Sequence, residues 1–164
     1  MERISVMRPY LGREEAEAAM AAIESGWVAQ GPRVADFERA FAELVQAEHA
    51  VAVSSCTAAL HLALVAVGVE AGDEVIVPSF SFIATANAPT YLGATPVMVD
   101  VDAKTGNITP ETVAPAITGR TRAIIAVDQG GVPLDLSPAE ATAFVRREIE
   151  NWGGVIRAGN IRLD

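Results

Sequence analysis

The segment AVAVSSCTAALHLAL, residues 50–64, decides how this chain folds. It begins with a short apolar run at 50–53, which predicts a buried strand, and continues through the polar turn 54–57. The apolar stretch 58–67 that follows predicts a helix. A second apolar run, Glu74–Pro78, predicts the next strand. Because neither run alternates apolar with polar residues, we expect both strands to be covered on both faces, as in a parallel sheet.

The rest of the chain continues the alternation of strands and helices. Further strands are predicted over 96–100 and 122–127, and further helices over 12–25, 32–46, 82–91 and 110–117. The first two helices carry apolar residues at helical spacing: Ala16, Met20 and Ile23, then Val34, Phe37, Phe41 and Leu44. Each is therefore expected to bury one face. The alternation indicates an α/β fold with a mostly parallel sheet.

The composition restricts the class of protein. Of the 164 residues, 51% are hydrophobic and 20% are charged, which excludes an intrinsically disordered chain. The net charge of -9 argues against nucleic acid as a partner, because its phosphates would be repelled. No apolar run approaches the ~18 residues that suggest a membrane span. With no secretory signal pattern and a single cysteine, Cys56, the sequence predicts a cytoplasmic protein.

The turn at 54–57 is the first candidate for a binding site. It leads into a helix N-terminus, where backbone N–H groups lack intrahelical partners and the helix dipole favours negative charge. With the hydroxyls of Ser55 and Thr57, these groups would form a site for phosphate or another anion. The alternative is that a hydroxyl only caps the helix, which capping preferences by themselves favour.

Two aromatic residues, Phe80 and Phe82, follow the strand Glu74–Pro78 at its carboxyl end. Open α/β sheets bind ligands in the crevice at this end of their strands. An aromatic side chain here would therefore stack on a planar cofactor ring. The alternative is that both rings belong to the core, and for Phe80 this is the preferred interpretation.

Other patterns give weaker indications. Cys56 and His61 do not share a helix face and have no further ligands nearby, so no metal site is expected. Nucleophile-elbow, dinucleotide-binding and P-loop motifs are absent from the sequence. Asp128, at the end of the last predicted strand, is a candidate catalytic carboxylate, although such a residue more often begins a turn.

Several motifs occur in an order that resembles one known family. They are SGW and QGP within 25–32, then 50–64, GDEVIVPSF at 72–80, ATAN at 84–87, and DVD with TGNI within 100–108. Residues 5–135 resemble the N-terminal part of the DegT/DnrJ/EryC1/StrS aminotransferases. The resemblance implies part of the large domain of a pyridoxal-phosphate (PLP) enzyme of the aspartate-aminotransferase fold (fold type I). It also implies a nucleotide-linked keto-sugar or cyclic ketone as substrate and a homodimer.

The resemblance implies roles for individual residues. Thr57 and Ala58 match the positions that hold the cofactor phosphate at the helix N-terminus. Phe82 matches the aromatic residue that stacks on the pyridine ring. Trp27, Gln30 and Gly31 match a stretch near the substrate end of the pocket.

The departures from the family concern catalysis. PLP-dependent amino transfer needs a lysine amine that forms a Schiff base and moves a proton. The family's lysine, and its aspartate for the pyridine nitrogen, belong to segments downstream of those matched here. The single lysine, Lys104, matches a surface turn, and Asp128 matches a position before the aspartate-bearing strand. We therefore expect a truncated large domain that does not transaminate alone, or alternatively a module that binds PLP or phosphate, or a partner, without catalysis.

Residues 136–164 are expected to form a tail distinct from residues 1–135. Ser, Pro and Glu within 137–140 form a strong helix start. An apolar stripe follows at Val145, Ile149, Trp152 and Ile156. The tail resembles the C-terminal end of Bug/TctC-type periplasmic solute receptors, which implies a foreign origin. A solute-binding module is a less favoured alternative, because no export signal or receptor body accompanies the tail.

Overall fold

A computed structural model of the chain describes residues 9–128 and Glu150. The chain divides into two compact units, Met1–Ala52 and Val53–Asp164. The predicted tail helix, its apolar stripe at 145–156 and the predicted boundary at 135 lie outside the described residues.

The described residues of the first unit form helices α1 (Arg13–Glu24) and α2 (Pro32–Val45). Those of the second unit form, in chain order, α3 (Cys56–Ala66), β1 (Glu74–Pro78), α4 (Ala84–Thr90), β2 (Thr95–Val99), α5 (Pro110–Val113), a 3-10 turn (Ala114–Ala116) and β3 (Thr121–Ile124). This order confirms the predicted alternation of helices and strands. No helix of the described residues is long and apolar enough to cross a membrane.

The three strands form one parallel sheet in the order β2-β1-β3. β1 pairs with β2 along its whole length, and its register with β3 shifts after Glu74. As the central strand, β1 is buried at all five positions. This double coverage explains the uninterrupted apolar sequence of β1, and it confirms the predicted parallel sheet.

Two apolar clusters cover opposite faces of β1, because successive side chains of a strand point to opposite faces. Val75 and Val77 pack with Leu64 of α3 and Ala88 of α4 on one face. On the other face, Ile76 packs with residues from β2, the following loop and α5: Val99, Ile108 and Val113. Full burial of such a side chain stabilises the fold by about 1.5–3 kcal/mol. The second unit therefore has a core of its own.

The prediction of a strand at 50–53 is wrong. This segment has no strand structure, and Val51 is 77% exposed. A strand exists through ladder hydrogen bonds to a neighbour, and none of β1, β2 and β3 pairs with this segment. The amide of Ala52 instead donates to Oε1 of Glu38 at 2.7 Å.

The predicted burial of one face of α1 and of α2 is also wrong for the described residues. No residue of α1 is buried, and in α2 burial is confined to Ala42. The apolar spacing is present, but Met20, Ile23 and Leu44 remain exposed. Phe37 and Phe41 are exposed as well, and their ring centroids lie 5.7 Å apart. A helix buries its apolar face only where another apolar surface meets it.

Candidate functional site

The N-terminus of α3 forms the first part of the candidate site. Ser55 is the N-cap in an extended conformation (φ -164°, ψ 160°), and its Oγ accepts the N–H of Ala58 at 3.2 Å. The Ser55 carbonyl accepts the N–H of Ala59 at 3.0 Å. Ser55 therefore caps the helix, and the predicted capping role belongs to this residue.

The amides of Cys56 and Thr57 have no hydrogen-bond acceptor among the described residues, although they belong to the same first turn. The Thr57 side chain is half-buried and Cys56 is exposed. No acidic residue lies in this turn, so the positive end of the helix dipole is not compensated from within the helix. Two free N–H groups beside a threonine hydroxyl are the chemistry that binds phosphate or a carboxylate.

The position of α3 in the second unit indicates which end of the sheet this turn faces. α3 ends at Ala66, shortly before β1 begins, and its Leu64 packs on one face of β1. Because a helix that packs on the next strand of an α/β fold usually runs opposite to that strand, we expect the first turn of α3 to lie toward the carboxyl ends of the strands, where α/β sheets bind ligands.

Residues 79–83 join β1 to α4 at the same edge. The N–H of Ser79 donates to the carbonyl of Val99 at 2.9 Å, and beyond this bond the chain leaves the sheet. The interpretation of Phe80 as a core residue is wrong: among the described residues it is 57% exposed, because it lies in the connection past the end of β1 and not within the buried strand. Phe82 is 75% exposed. Its ring is open to solvent, as a stacking role requires.

The helix after Phe82 begins later than the sequence predicts. α4 starts at Ala84, and its N-cap, Ile83, provides no side-chain hydrogen bond. The carbonyl of Phe82 accepts the N–H of Thr85 at 3.0 Å. Phe82 therefore stands in the turn that leads into the helix, where its ring projects from irregular backbone.

Two hydroxyl contacts at this edge were missed by the sequence analysis. Oγ of Ser81 and Oγ1 of Thr85 lie 2.8 Å apart, and Oγ of Ser79 donates to Oδ1 of Asp100 at 3.5 Å. The sequence contains no clear signal for the first contact, because Ser81 lies outside α4 and the contact depends on where that helix begins. The second contact joins the ends of β1 and β2, and it required knowledge of the strand pairing.

The predicted substrate residues form one local structure in the first unit. Nε1–H of Trp27 donates to the carbonyl of Gln30 at 2.7 Å. Gly31 is the N-cap of α2, and a Cβ atom at this position would lie 1.8 Å from Nε1 of Trp27. The indole therefore occupies the space that a side chain at Gly31 would need. Thr57, Ala58 and Phe82, by contrast, belong to the second unit.

Lys104 and Asp128, the remaining charged candidates, belong neither to the first turn of α3 nor to the connection 79–83. Lys104 is exposed in a turn in which Oδ1 of Asp102 accepts the N–H groups of Lys104 and Thr105, each at 3.0 Å. These hydrogen bonds lower the pKa of Asp102, and the bond from the Thr105 N–H has the larger effect. Asp128 is exposed and lies after the end of β3. In residues 9–128, no three His, Cys, Asp or Glu side chains cluster to hold a metal ion.

Comparison with known proteins identifies the class and then the family. The fold is that of PLP-dependent aminotransferases. Residues 9–145 match the DegT/DnrJ/EryC1/StrS aminotransferase family, and the chain belongs to this family. The matched range extends beyond residue 135, where the sequence analysis placed the start of a tail.

Three solved structures illustrate the similarity. The chain is 34% identical over 93% of its length to an aminotransferase from Psychrobacter cryohalolentis, with a TM-score of 0.79. It is 38% identical over 93% to 3-amino-5-hydroxybenzoic acid synthase, with a TM-score of 0.78. It is 30% identical over 99% to the PLP form of Spr1654 from Streptococcus pneumoniae, a sugar aminotransferase by its description, with a TM-score of 0.83. The chain spans 36%, 37% and 39% of these proteins, respectively.

Proposed function

We propose that this chain forms the phosphate-binding and ring-binding part of a PLP-dependent aminotransferase that acts on a nucleotide-linked keto-sugar or a cyclic ketone. The observation that carries the proposal is the pair of amides at Cys56 and Thr57, which have no acceptor among the described residues. Family membership supports PLP as the cofactor, and Spr1654 has solved PLP and PMP forms. The descriptions of Spr1654 and of 3-amino-5-hydroxybenzoic acid synthase support a sugar or cyclic substrate.

The residues of the second unit fit a phosphate ester joined to a planar ring. The amides of Cys56 and Thr57, with the Thr57 hydroxyl, would bind the phosphate oxygens. The amide of Ala58, which the resemblance also assigns to the phosphate, donates to Ser55 in this structure and keeps the turn in shape. The exposed ring of Phe82 would stack on the pyridine ring. When bound, PLP supplies an electron sink for the carbon that carries the amino group.

Trp27, Gln30 and Gly31 of the first unit would contact the substrate, as the family resemblance implies. The indole is fixed by its hydrogen bond to the Gln30 carbonyl and by its contact with the Gly31 backbone. A fixed, exposed aromatic face is suited to stacking on a sugar or a nucleotide base. We also propose that two copies of the chain associate as a homodimer, as the family resemblance implies.

We propose further that the 164-residue chain binds but does not transaminate. Its single lysine, Lys104, lies in an exposed turn whose backbone is bound by Asp102, and no other side chain of the sequence supplies a primary amine. Incubation with PLP, an amino donor and a nucleotide-linked keto-sugar is expected to give no product. Measured turnover, or PLP fixed to Lys104 by borohydride, would contradict this part of the proposal.

Titration of the chain with PLP and with inorganic phosphate tests the binding site. Both ligands are expected to bind and to compete. Thr57→Val removes the hydroxyl but keeps the side-chain volume, and it should weaken both ligands by about three- to tenfold. Thr90→Val is the matched control. The Thr90 hydroxyl donates to the backbone carbonyl of Asn87 at the C-terminal end of α4, outside the first turn of α3. Equal binding by the Thr57 variant and the wild type would overturn the phosphate site.

We also propose that residues 136–164 form a tail distinct from residues 1–135. Deletion of this segment tests whether it covers apolar surface of residues 1–135, as its stripe at 145–156 suggests. If the tail has this role, the shortened chain aggregates or self-associates. A soluble, monomeric product would contradict it.

A further inference from the structure

The turn that carries Phe82 is held by a pair of hydroxyl groups. Oγ of Ser81 and Oγ1 of Thr85 lie 2.8 Å apart, one on each side of Phe82 in the sequence. The N-cap residue Ile83 contributes no side-chain hydrogen bond, so the Ser81–Thr85 pair provides the side-chain link across the start of α4. The carbonyl of Phe82 is bound by the N–H of Thr85, at 3.0 Å. Thr85 therefore holds this turn through both its hydroxyl and its amide.

The two hydroxyls differ in burial. Thr85 is 5% exposed and lies beside Ala84 and Ala88, which are buried as well. Ser81 is half-buried, while Phe82 and Ile83 are exposed. The pair thus ties an exposed turn to a side chain in the packed part of the second unit.

Little packing fixes the Phe82 ring: among the described residues it makes no aromatic contact, and the residue is 75% exposed. The direction of such a ring is set by its backbone, because allowed rotamers depend on φ and ψ. A hydrogen bond that restrains residues 81–85 therefore restrains the ring before any ligand arrives. Restraint of this kind reduces the ordering cost of binding.

We propose that Thr85, acting through Ser81, is a positioning residue that orients Phe82 for stacking on the cofactor ring. This inference rests on the proposed function and adds a residue that does not itself touch the cofactor. It separates two contributions to affinity. The phosphate is bound by the first turn of α3, whereas the ring depends on the Ser81–Thr85 pair.

The test compares PLP with inorganic phosphate on the full chain. Thr85→Val replaces the buried hydroxyl by a methyl group of similar size, and Ser81→Ala removes the partner from the more exposed side. Both variants should bind PLP about three- to tenfold more weakly, the range that one hydrogen bond supplies, and should bind phosphate as the wild type does. Thr85→Ser keeps the hydroxyl and should retain wild-type PLP affinity.

A double-mutant cycle with Phe82→Ala decides whether Thr85 acts through the ring. In the Phe82→Ala background, Thr85→Val should have no further effect on PLP affinity. Amide hydrogen exchange gives a readout without ligand: exchange at Thr85 and Ala86 should accelerate in Thr85→Val and Ser81→Ala, while exchange in β1 stays unchanged.

The outcomes distinguish this inference from the proposed function. Unchanged PLP affinity in both variants, additive effects in the cycle, or equal losses of PLP and phosphate would overturn the positioning role while the phosphate site stands. A wild-type chain that binds neither PLP nor phosphate would overturn the proposed function, and the role of Thr85 with it.

Discussion

The hydroxyl of Thr118 donates to Oε2 of Glu74 at 2.5 Å and joins the loop before β3 to the first residue of β1. Arg120 donates to Oε1 of the same carboxylate. The two hydrogen bonds hold the pKa of Glu74 below its ordinary value of 4.5, and the bond from Thr118 has the larger effect. Glu74 is buried, so these contacts fix the start of the β1–β3 pairing.

Stability should therefore depend on the charge of Glu74. Because the folded-state pKa is lower than the unfolded one, the contribution is fully present above 4.5 and is lost as the pH falls through the folded-state pKa. Glu74→Gln should be less stable than the wild type at about pH 7, and the difference should narrow toward about pH 3. Urea unfolding across this range measures it, with exposed Glu70→Gln as control. A difference independent of pH would contradict the assignment.

Substitutions at Ser55 should separate helix capping from anion binding. Ser55→Ala removes the acceptor for the Ala58 amide and should lower the free energy of unfolding by about 1 kcal/mol. Ser55→Asp keeps an acceptor at the N-cap, so stability should change by less than about 0.5 kcal/mol. Its negative charge should nevertheless abolish phosphate binding, because it occupies the same helix end. Chemical denaturation and phosphate titration measure the two effects. Retained phosphate affinity in Ser55→Asp would place the anion elsewhere.

The centre of the sheet should be the most sensitive part of the second unit. Ile76 has no exposed surface, and truncation to alanine leaves a cavity among Val99, Ile108 and Val113. Ile76→Ala should lower the free energy of unfolding by about 2–5 kcal/mol. Met98→Ala, on a neighbouring strand but 62% exposed, should change it by less than about 0.5 kcal/mol. Similar losses in the two variants, measured by urea denaturation, would disagree with the described core.

Gly31→Ala should displace the indole of Trp27. A Cβ at residue 31 would overlap Nε1, so the ring must move and its hydrogen bond to Gln30 must break. The indole N–H resonance of Trp27, identified by its absence in Trp27→Phe, should shift, with a loss of stability of about 1 kcal/mol or less. Gly12→Ala is the matched control, since its Cβ would meet Oε2 of Glu15 at an ordinary 3.6 Å. An unmoved resonance in Gly31→Ala would contradict the described contact.

The parts of the fold that the sequence predicted best are those in which local pattern and burial agree. β1 occupies the predicted residues, because its continuous apolar run reflects burial on both faces. The apolar run at 50–53 looked similar, but strand formation depends on a partner strand, which a local pattern does not contain. The spacing of Phe37 and Phe41 likewise indicated a helix correctly, but the burial predicted from it was wrong, because burial depends on a second apolar surface.

The candidate site was predictable to a similar extent. The hydroxyl-rich turn before an apolar stretch indicated a helix N-terminus. The structure shows Ser55 as its cap, and the anion-binding role of Thr57 stays a prediction. The exposed position of Phe80 depended on where the chain leaves the sheet, which the sequence does not mark. The Ser81–Thr85 contact depended on the start of α4 at Ala84, two residues later than predicted.

The strand order β2-β1-β3 also determines how the chain acquires its structure during synthesis. Of the three strands, β1 and β2 leave the ribosome first. They can pair once α4, which connects them, has been synthesised. The other edge of β1 stays open until Thr121–Ile124 leaves the ribosome, so the most buried of the three strands spends that interval with unpaired amides and carbonyls. Nascent chains halted before β3 should therefore be the species that chaperones bind and that aggregate most readily.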